Sequence, residues 1–170
     1  MAKRLVNIIL GLFAGLAGSL LGKYILVFII SLLPVLELRG GLIAASLLNL
    51  PMWQSILVCV FGNILIIPFV LFLMEKLITL LSKIKICKRF FDWWQKKALK
   101  KKDIIDKYGY LGIMLFVAVP LPGSGAWTGC LIAVLMGLDK KKSFIAALLG
   151  VFIAAVIMTI FSYGILKGVL

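Results

Sequence analysis

The sequence contains no histidine, only six acidic residues and no glycine-rich nucleotide loop of the Walker type. Without histidine a serine nucleophile has no base, and the single glutamate deep in an apolar stretch cannot form an aspartyl dyad. The three cysteines are isolated, which argues against both a disulfide framework and a zinc site. We therefore expect no enzymatic activity, no cofactor, no metal centre and no ATP-driven pump.

Apolar residues dominate what is present, at 64% of the 170 residues, whereas charged residues make up only 15%. Soluble domains are about half apolar, and long apolar runs with few charges are typical of membrane spans. The composition predicts an all-α integral membrane protein, multi-pass in the cell membrane, with residues 1–170 forming a single membrane domain.

The net charge of +13 is concentrated, since 14 of the 19 Lys and Arg residues lie in 76–107 and 140–142. Basic loops beside spans follow the positive-inside rule, so this charge does not indicate a nucleic-acid partner. The rule places the N-terminus and the basic linker in the cytoplasm. The linker, 76–107, has apolar residues at helical spacing opposite its lysines, which predicts an amphipathic interfacial helix in contact with membrane lipids.

The apolar stretches differ in length and continuity. The first, 5–22, is predicted to be a retained first crossing, with a signal peptide as the alternative. The stretches 52–74 and 143–166 each fit one crossing of about 20 residues, which gives about three full crossings.

Two other stretches, 24–50 and 108–138, are interrupted by "LLPVLELRGG" and "VPLPGSGAWTGC". Proline inside a helix removes hydrogen bonds, and broken backbone is tolerated in a membrane only where protein or a water-filled cavity covers it. Basic segments flank the second interrupted stretch on both sides, so it must return to the side it came from. We predict that both stretches are re-entrant helical hairpins.

The two hairpins also match each other when the sequence is shifted by 88 residues. This predicts an inverted repeat, with repeat 1 at about 24–75 and repeat 2 at about 108–167, and a substrate site where the broken elements meet near the midplane. The matching pairs are Pro34 and Pro122, Gly41 and Gly129, Ala45 and Ala133, Leu47 and Leu135, Leu50 and Leu138, and Gly62 and Gly150.

The main candidate site is the charged pair Glu37 and Arg39, because a charge within a membrane segment is costly and usually marks an ion or substrate path. A structural ion pair that locks the hairpin is the alternative. Gly40 and Gly41 allow close backbone approach, and Asn63 is expected to hydrogen-bond to hairpin backbone. The other candidate binding residues lie in the second hairpin: Pro120, Pro122, Gly123, Ser124, Gly125, Trp127 and Thr128.

Three motifs, "LPVLELRGG", "FGNILIIPFVL" and "FVAVPLPGSGAWTGCLIAVLMG", resemble those of the small multidrug export protein family over residues 25–165. That family usually has a proline shortly after its Glu-x-Arg-Gly, where this chain has Ile43. The paired hairpins also resemble the DedA superfamily, some members of which are implicated in lipid scrambling or undecaprenyl phosphate flipping.

These features together predict a secondary transporter of a small amphiphilic or lipid-like substrate, coupled to protons or ions. The alternatives are a DedA-like flippase or scramblase of undecaprenyl phosphate or phospholipid, and a non-transporting membrane assembly factor. The expected partners are membrane lipids, the substrate and the coupling ion, and the sequence leaves homo-oligomerisation open.

Overall fold

The structure is a computed structural model that describes residues 15, 18–74, 76, 92, 96, 103–121 and 123–165. Most of the predicted first crossing, nearly all of the predicted linker helix, Cys87 and Pro122 lie outside the described residues. The part of the chain that is described forms seven α-helices and no strand, which confirms the all-helical prediction.

Two of these helices have the length and composition of membrane crossings. One is α3, Met52–Pro68, which continues as a π-helical turn over Phe69–Leu73, and the other is α7, Lys140–Thr159, which continues as a π-helix over Ile160–Ile165. Candidate spans cover 22 residues of the first and 25 of the second. The remaining helices are α1 (Leu20–Leu32), α2 (Glu37–Leu47), α4 (Asp103–Tyr108), α5 (Tyr110–Ala118) and α6 (Ala126–Leu135).

The outer surface of α3 is apolar, as lipid contact requires. Trp53, Leu57 and Phe61 follow one another at intervals of four residues and are 73%, 70% and 56% exposed. Residues four apart share one face of a helix, so these side chains form a stripe that water would not solvate favourably. The structure therefore agrees with a membrane location for this helix.

The four helices that form the predicted hairpins are too short to cross a bilayer. They contain 13, 11, 9 and 10 residues in α1, α2, α5 and α6. At about 1.5 Å per residue, even the longest reaches only about 20 Å of a hydrocarbon core of about 30 Å. Within each hairpin the two helices pack against each other, α1 on α2 and α5 on α6.

The described elements fall into two compact units. The first unit contains α1, α2, α3 as far as Ile64, and α7 from Val151 onwards, and the second contains Leu65–Gly150. Each unit has its own apolar core. Fully buried core side chains are Leu26, Ile30 and Leu42 in the first unit and Ile113, Leu131 and Ile132 in the second.

The same backbone turn ends both hairpins. Asn49 after α2 and Gly137 after α6 have φ values of +56° and +67°. The next amides, those of Leu50 and Leu138, bond to carbonyls five residues earlier at 3.0 and 2.9 Å. This pattern is the Schellman motif, which satisfies the last carbonyls of a helix and reverses the chain. The two turns are 88 residues apart, the shift at which the sequence matches itself.

Candidate functional site

The tip of the first hairpin turns at Pro34 and ends at Glu37, the first residue of α2. Glu37 has a φ of +50°, in the left-handed region, and its side chain is only 5% exposed. A left-handed conformation costs a residue other than glycine about 1–2 kcal/mol. The carboxylate is therefore both buried and held in an unfavourable backbone conformation, although the partial positive charge of a helix N-terminus favours it there.

Arg39 lies two residues further along α2 and is half-buried. Its guanidinium interacts electrostatically with Glu37, so the structure brings the two predicted charges together. Arginine stays protonated under all ordinary conditions, so a positive charge is always present beside this carboxylate.

Gly40 and Gly41 allow the tip to pack tightly. A methyl group at Gly40 would lie 2.5 Å from the Leu36 Cβ, and one at Gly41 would lie 2.7 Å from the Cys59 Sγ. The Gly40 amide bonds to the Leu36 carbonyl at 2.7 Å, which fixes this turn. Both glycines are therefore closely packed, mainly against side chains. The helix then continues through Ile43, which is helical and buried.

Asn63 hydrogen-bonds to hairpin backbone, as predicted. It is buried on α3, and its Nδ2 donates to the Ser31 carbonyl at 3.2 Å and to the Cys59 carbonyl at 3.5 Å. Ser31 is in the last turn of α1, where helix carbonyls lack intrahelical partners. The amide therefore holds α1 against α3 beneath the charged tip.

Replacing Asn63 with leucine is expected to lower the free energy of unfolding by about 1 kcal/mol, because the Ser31 carbonyl loses its side-chain donor. Thermal unfolding of the detergent-solubilised protein measures this. Gln54→Leu is the control: this exposed amide bonds to Tyr24, and its loss should change stability by no more than about 0.5 kcal/mol. Equal losses in the two variants would show that Asn63 has no special role.

The second hairpin tip is built largely from bonds within itself. The Ser124 hydroxyl lies 2.8 Å from the carbonyls of both Val119 and Leu121, and it accepts the Leu121 amide at 3.2 Å. Gly123 and Gly125 have φ values of +74° and +138°, which glycine adopts without steric cost. Ser124 thus folds the loop, a role that its position between two glycines did not indicate.

The remaining predicted residues of this hairpin differ in exposure. Trp127, half-buried, meets the Phe69 ring edge-on with centroids 6.0 Å apart at an interplanar angle of 67°. Thr128 is buried and Pro120 is exposed. Trp127 therefore joins α6 to the π-helical end of α3 within the second unit.

Comparison with known families agrees with these motifs. The family model described as "Putative small multi-drug export protein" matches residues 37–157, well over half of the chain. The chain belongs to this family. No curated protein and no solved structure matches it. The family match begins at Glu37, the last residue of the first hairpin tip, and extends into α7, so it includes the whole second tip.

One difference between the two hairpins bears on chemistry. At the shift of 88 residues Glu37 corresponds to Gly125, and both stand where the second helix of a hairpin begins with a positive φ. Glycine takes such a conformation freely, whereas glutamate does not. The first hairpin thus has a carboxylate side chain at the position where the second hairpin has glycine, which takes a positive φ without strain. Strain of this kind concentrates at functional sites.

Proposed function

We propose that this protein is a secondary transporter of a small amphiphilic or lipid-like substrate, driven by a proton or ion gradient, with Glu37 and Arg39 as its charged binding groups. Membership of the small multi-drug export family supports this, and so do two helices of membrane-crossing length. The observation that carries the proposal is the buried Glu37, held at φ +50° where glycine would be unstrained.

The charged pair supplies a mechanism for coupling. An anionic substrate that binds Arg39 competes with Glu37 for the guanidinium, and a proton on Glu37 removes that competition. Proton and anion binding then favour each other, which is thermodynamic coupling at a shared site. A cationic substrate instead pairs with Glu37 and displaces the proton, which gives exchange. The same two residues accordingly serve either class of substrate.

The proposed topology has both hairpins entering and leaving on the same side of the membrane. Side chains join the base of each hairpin: Lys23 Nζ donates to the Leu48 carbonyl at 3.4 Å, and the Asp139 amide donates to the Tyr110 hydroxyl at 3.2 Å. The first bond holds the start of α1 close to the end of α2, and the second holds the start of α5 close to the segment that follows α6. Helices too short to cross, closed at their bases, support the re-entrant arrangement.

Contacts at the ends of the spans support opposite directions for α3 and α7. In the first unit the Tyr163 hydroxyl donates to the Leu50 carbonyl at 3.2 Å, beside the start of α3. In the second unit Lys140 Nζ lies 5.9 Å from the centre of the Phe72 ring, at the end of α3. The start of α7 is therefore on the basic side, where Lys76 follows α3, and positive-inside makes that side cytoplasmic. The proposed inverted repeat requires opposite directions of this kind for α3 and α7.

Single cysteines test this topology. In a cysteine-free background, a cysteine in place of Lys141 is expected to react with an impermeant thiol reagent only from the cytoplasmic side. A cysteine in place of Trp53, exposed at the start of α3, is expected to react only from the external side. Reaction of both positions from the same side would exclude the proposed arrangement.

A flux assay tests the transport function. The purified protein is reconstituted into liposomes and given lipid phosphates and lipophilic cations, with and without a pH gradient. We expect gradient-dependent flux of one class, lost in Glu37→Gln and altered in Arg39→Gln according to the sign of the substrate. An Arg39 variant that moves cations but not anions would assign the guanidinium to anion binding. Flux of no compound in the panel under any gradient would count against transport.

A further inference from the structure

A second polar cluster lies at the opposite end of the first unit from the charged tip. There the π-helical end of α7 meets α2 and the turn that follows it. The Ser46 hydroxyl donates to the Ser162 carbonyl at 2.8 Å, and the Tyr163 hydroxyl donates to the Leu50 carbonyl at 3.2 Å. The Ser46 proton is committed to a carbonyl, so the Ser46 hydroxyl oxygen keeps lone pairs for another partner. Tyr163 also hydrogen-bonds to the Ser55 side chain.

Two further hydroxyls in the cluster have no hydrogen-bond partner among the described residues. They are the Thr159 Oγ1 and the Ser162 Oγ, both inaccessible to solvent, and Ser162 as a whole is 0% exposed. Thr159 is the last residue of α7 and Ser162 lies three residues further along, within the π-helix, so both hydroxyls belong to the same end of this span. Buried hydroxyls are nearly always bonded, and two unpartnered hydroxyls within four residues, next to the bond from Ser46 to Ser162, point to a ligand.

The backbone around these hydroxyls is also suited to a ligand. The π-helix over Ile160–Ile165 replaces the regular pairing of an α-helix, and such segments occur frequently at functional sites. The nearby C-terminus of α2, at Leu47, carries the partial negative charge of a helix end. The cluster therefore offers several neutral oxygens near a helix C-terminus, an arrangement that suits a cation.

We propose that Thr159, Ser162 and Ser46 form a sodium site. None of these ligands is acidic, and neutral hydroxyls and carbonyls suit a hard monovalent ion, whereas calcium and magnesium sites rely on carboxylates. Interrupted helices and helix C-termini bind sodium in the same way in other secondary transporters. The sodium site adds the identity of the coupling ion to the proposed transport function. Its role in coupling rests on that function, whereas sodium binding itself does not.

The positive charge of Lys23 is expected to lower the affinity of this site for sodium. Its ammonium group donates to the Leu48 carbonyl, one residue beyond α2 and at the same end of the unit. A like charge nearby weakens the binding of a cation. Replacing Lys23 with glutamine should therefore lower the sodium concentration needed for half-maximal binding.

Thermal unfolding of the full-length protein in detergent tests the site without requiring transport. The unfolding temperature is measured in sodium, potassium and choline chloride at constant ionic strength, since a ligand that binds only the folded state raises it. We expect a rise specific to sodium. In Ser162→Ala the half-maximal sodium concentration should increase about tenfold or more, as expected for the loss of one contact to a charged group.

Ser143→Ala is the matched control, because Ser143 is also a fully buried serine on α7 without a partner, but it lies at the other end of that helix. Ser143→Ala should show the same sodium-dependent rise in unfolding temperature as the wild type. If Ser162→Ala does not fold, Thr159→Val replaces it with the same expectation. No rise with sodium, an equal rise with potassium, or an equal loss in Ser143→Ala would each overturn the sodium site.

A flux measurement separates this site from the transport function. A sodium gradient across proteoliposomes should drive substrate movement in the wild type and not in Ser162→Ala. Sodium-specific stabilisation without flux would leave the site intact and reject transport. Flux that needs only a pH gradient, without sodium-specific stabilisation, would reject the sodium site and leave the transport function intact.

Discussion

Glycine in place of Glu37 is expected to abolish coupled transport and to leave the protein more stable than Glu37→Gln does. Glycine adopts a φ of +50° without the cost of about 1–2 kcal/mol that glutamate bears, and this gain exceeds the entropy cost of glycine in a helix, about 0.5–1 kcal/mol. Glu37→Gly and Glu37→Gln both remove the charge that interacts with the half-buried Arg39, which destabilises a buried ion pair, so the difference between them isolates the backbone strain. Both variants should lose transport, and the glycine variant should be the more stable of the two.

Two further variants separate the backbone from the charge. Glu37→Gln keeps the size and the strained conformation but removes the charge, so it should lose transport as completely as the glycine variant. Asn49→Gly changes the other described non-glycine residue with a positive φ, and Asn49 lies outside the charged pair. We expect Asn49→Gly to transport normally. The measurements are flux across proteoliposomes as a function of pH and thermal unfolding in detergent.

The outcome also decides between a transport site and a structural ion pair. If Glu37→Gln moves any established substrate at an unchanged rate and with an unchanged pH profile, the coupling role is wrong. If both Glu37 variants instead fail to accumulate as folded protein while Asn49→Gly does, the pair with Arg39 locks the hairpin.

Alanine at Gly150 is expected to cause the largest loss of stability among single methyl additions in α7. Its Cβ would lie 2.7 Å from the Met114 carbonyl oxygen and 2.7 Å from the Val117 Cβ. Neither atom is at the end of a flexible side chain, so α5 and α7 must move apart to admit the methyl group. Overpacking of this kind costs about 1–3 kcal/mol, which a fall in the unfolding temperature would report.

Gly164→Ala provides the comparison within the same helix. The nearest atom to an added Cβ there is in the Ile160 side chain at 4.0 Å, an ordinary contact. Alanine is the better helix former by about 0.8–1 kcal/mol, so this variant should be neutral or slightly stabilising. A loss in Gly164→Ala as large as that in Gly150→Ala would show that the close approach of α5 and α7 is not what requires glycine.

Much of the fold was predictable because it depends on patterns local in the chain. Uninterrupted apolar length identified α3 and α7, and the prolines and glycines of the two tips identified the breaks. The family followed from the same motifs. The hydrogen-bonding role of Asn63 was also predictable, because an amide in the middle of an apolar helix needs a polar partner.

The finer features of the candidate sites were not predictable, because they depend on how the chain packs. No residue pattern indicated that Glu37 would take a left-handed conformation, which glutamate rarely adopts. The bond from Ser46 to Ser162 joins residues 116 positions apart. The π-helical ends of both spans likewise escaped prediction, since isoleucine and phenylalanine at those positions fit an α-helix equally well.

Those π-helical ends determine how the spans respond to bilayer thickness. At about 1.5 Å per residue, helices of 22 and 25 residues reach about 33 and 37 Å, more than a hydrocarbon core of about 30 Å. A helix longer than the bilayer must tilt or bend, and bends concentrate at π-helical turns. Each span is thus expected to bend most easily at its π-helical end, which is Phe69–Leu73 after α3 and Ile160–Ile165 after α7. Thinner membranes will bend the spans at these ends, and thicker membranes will straighten them.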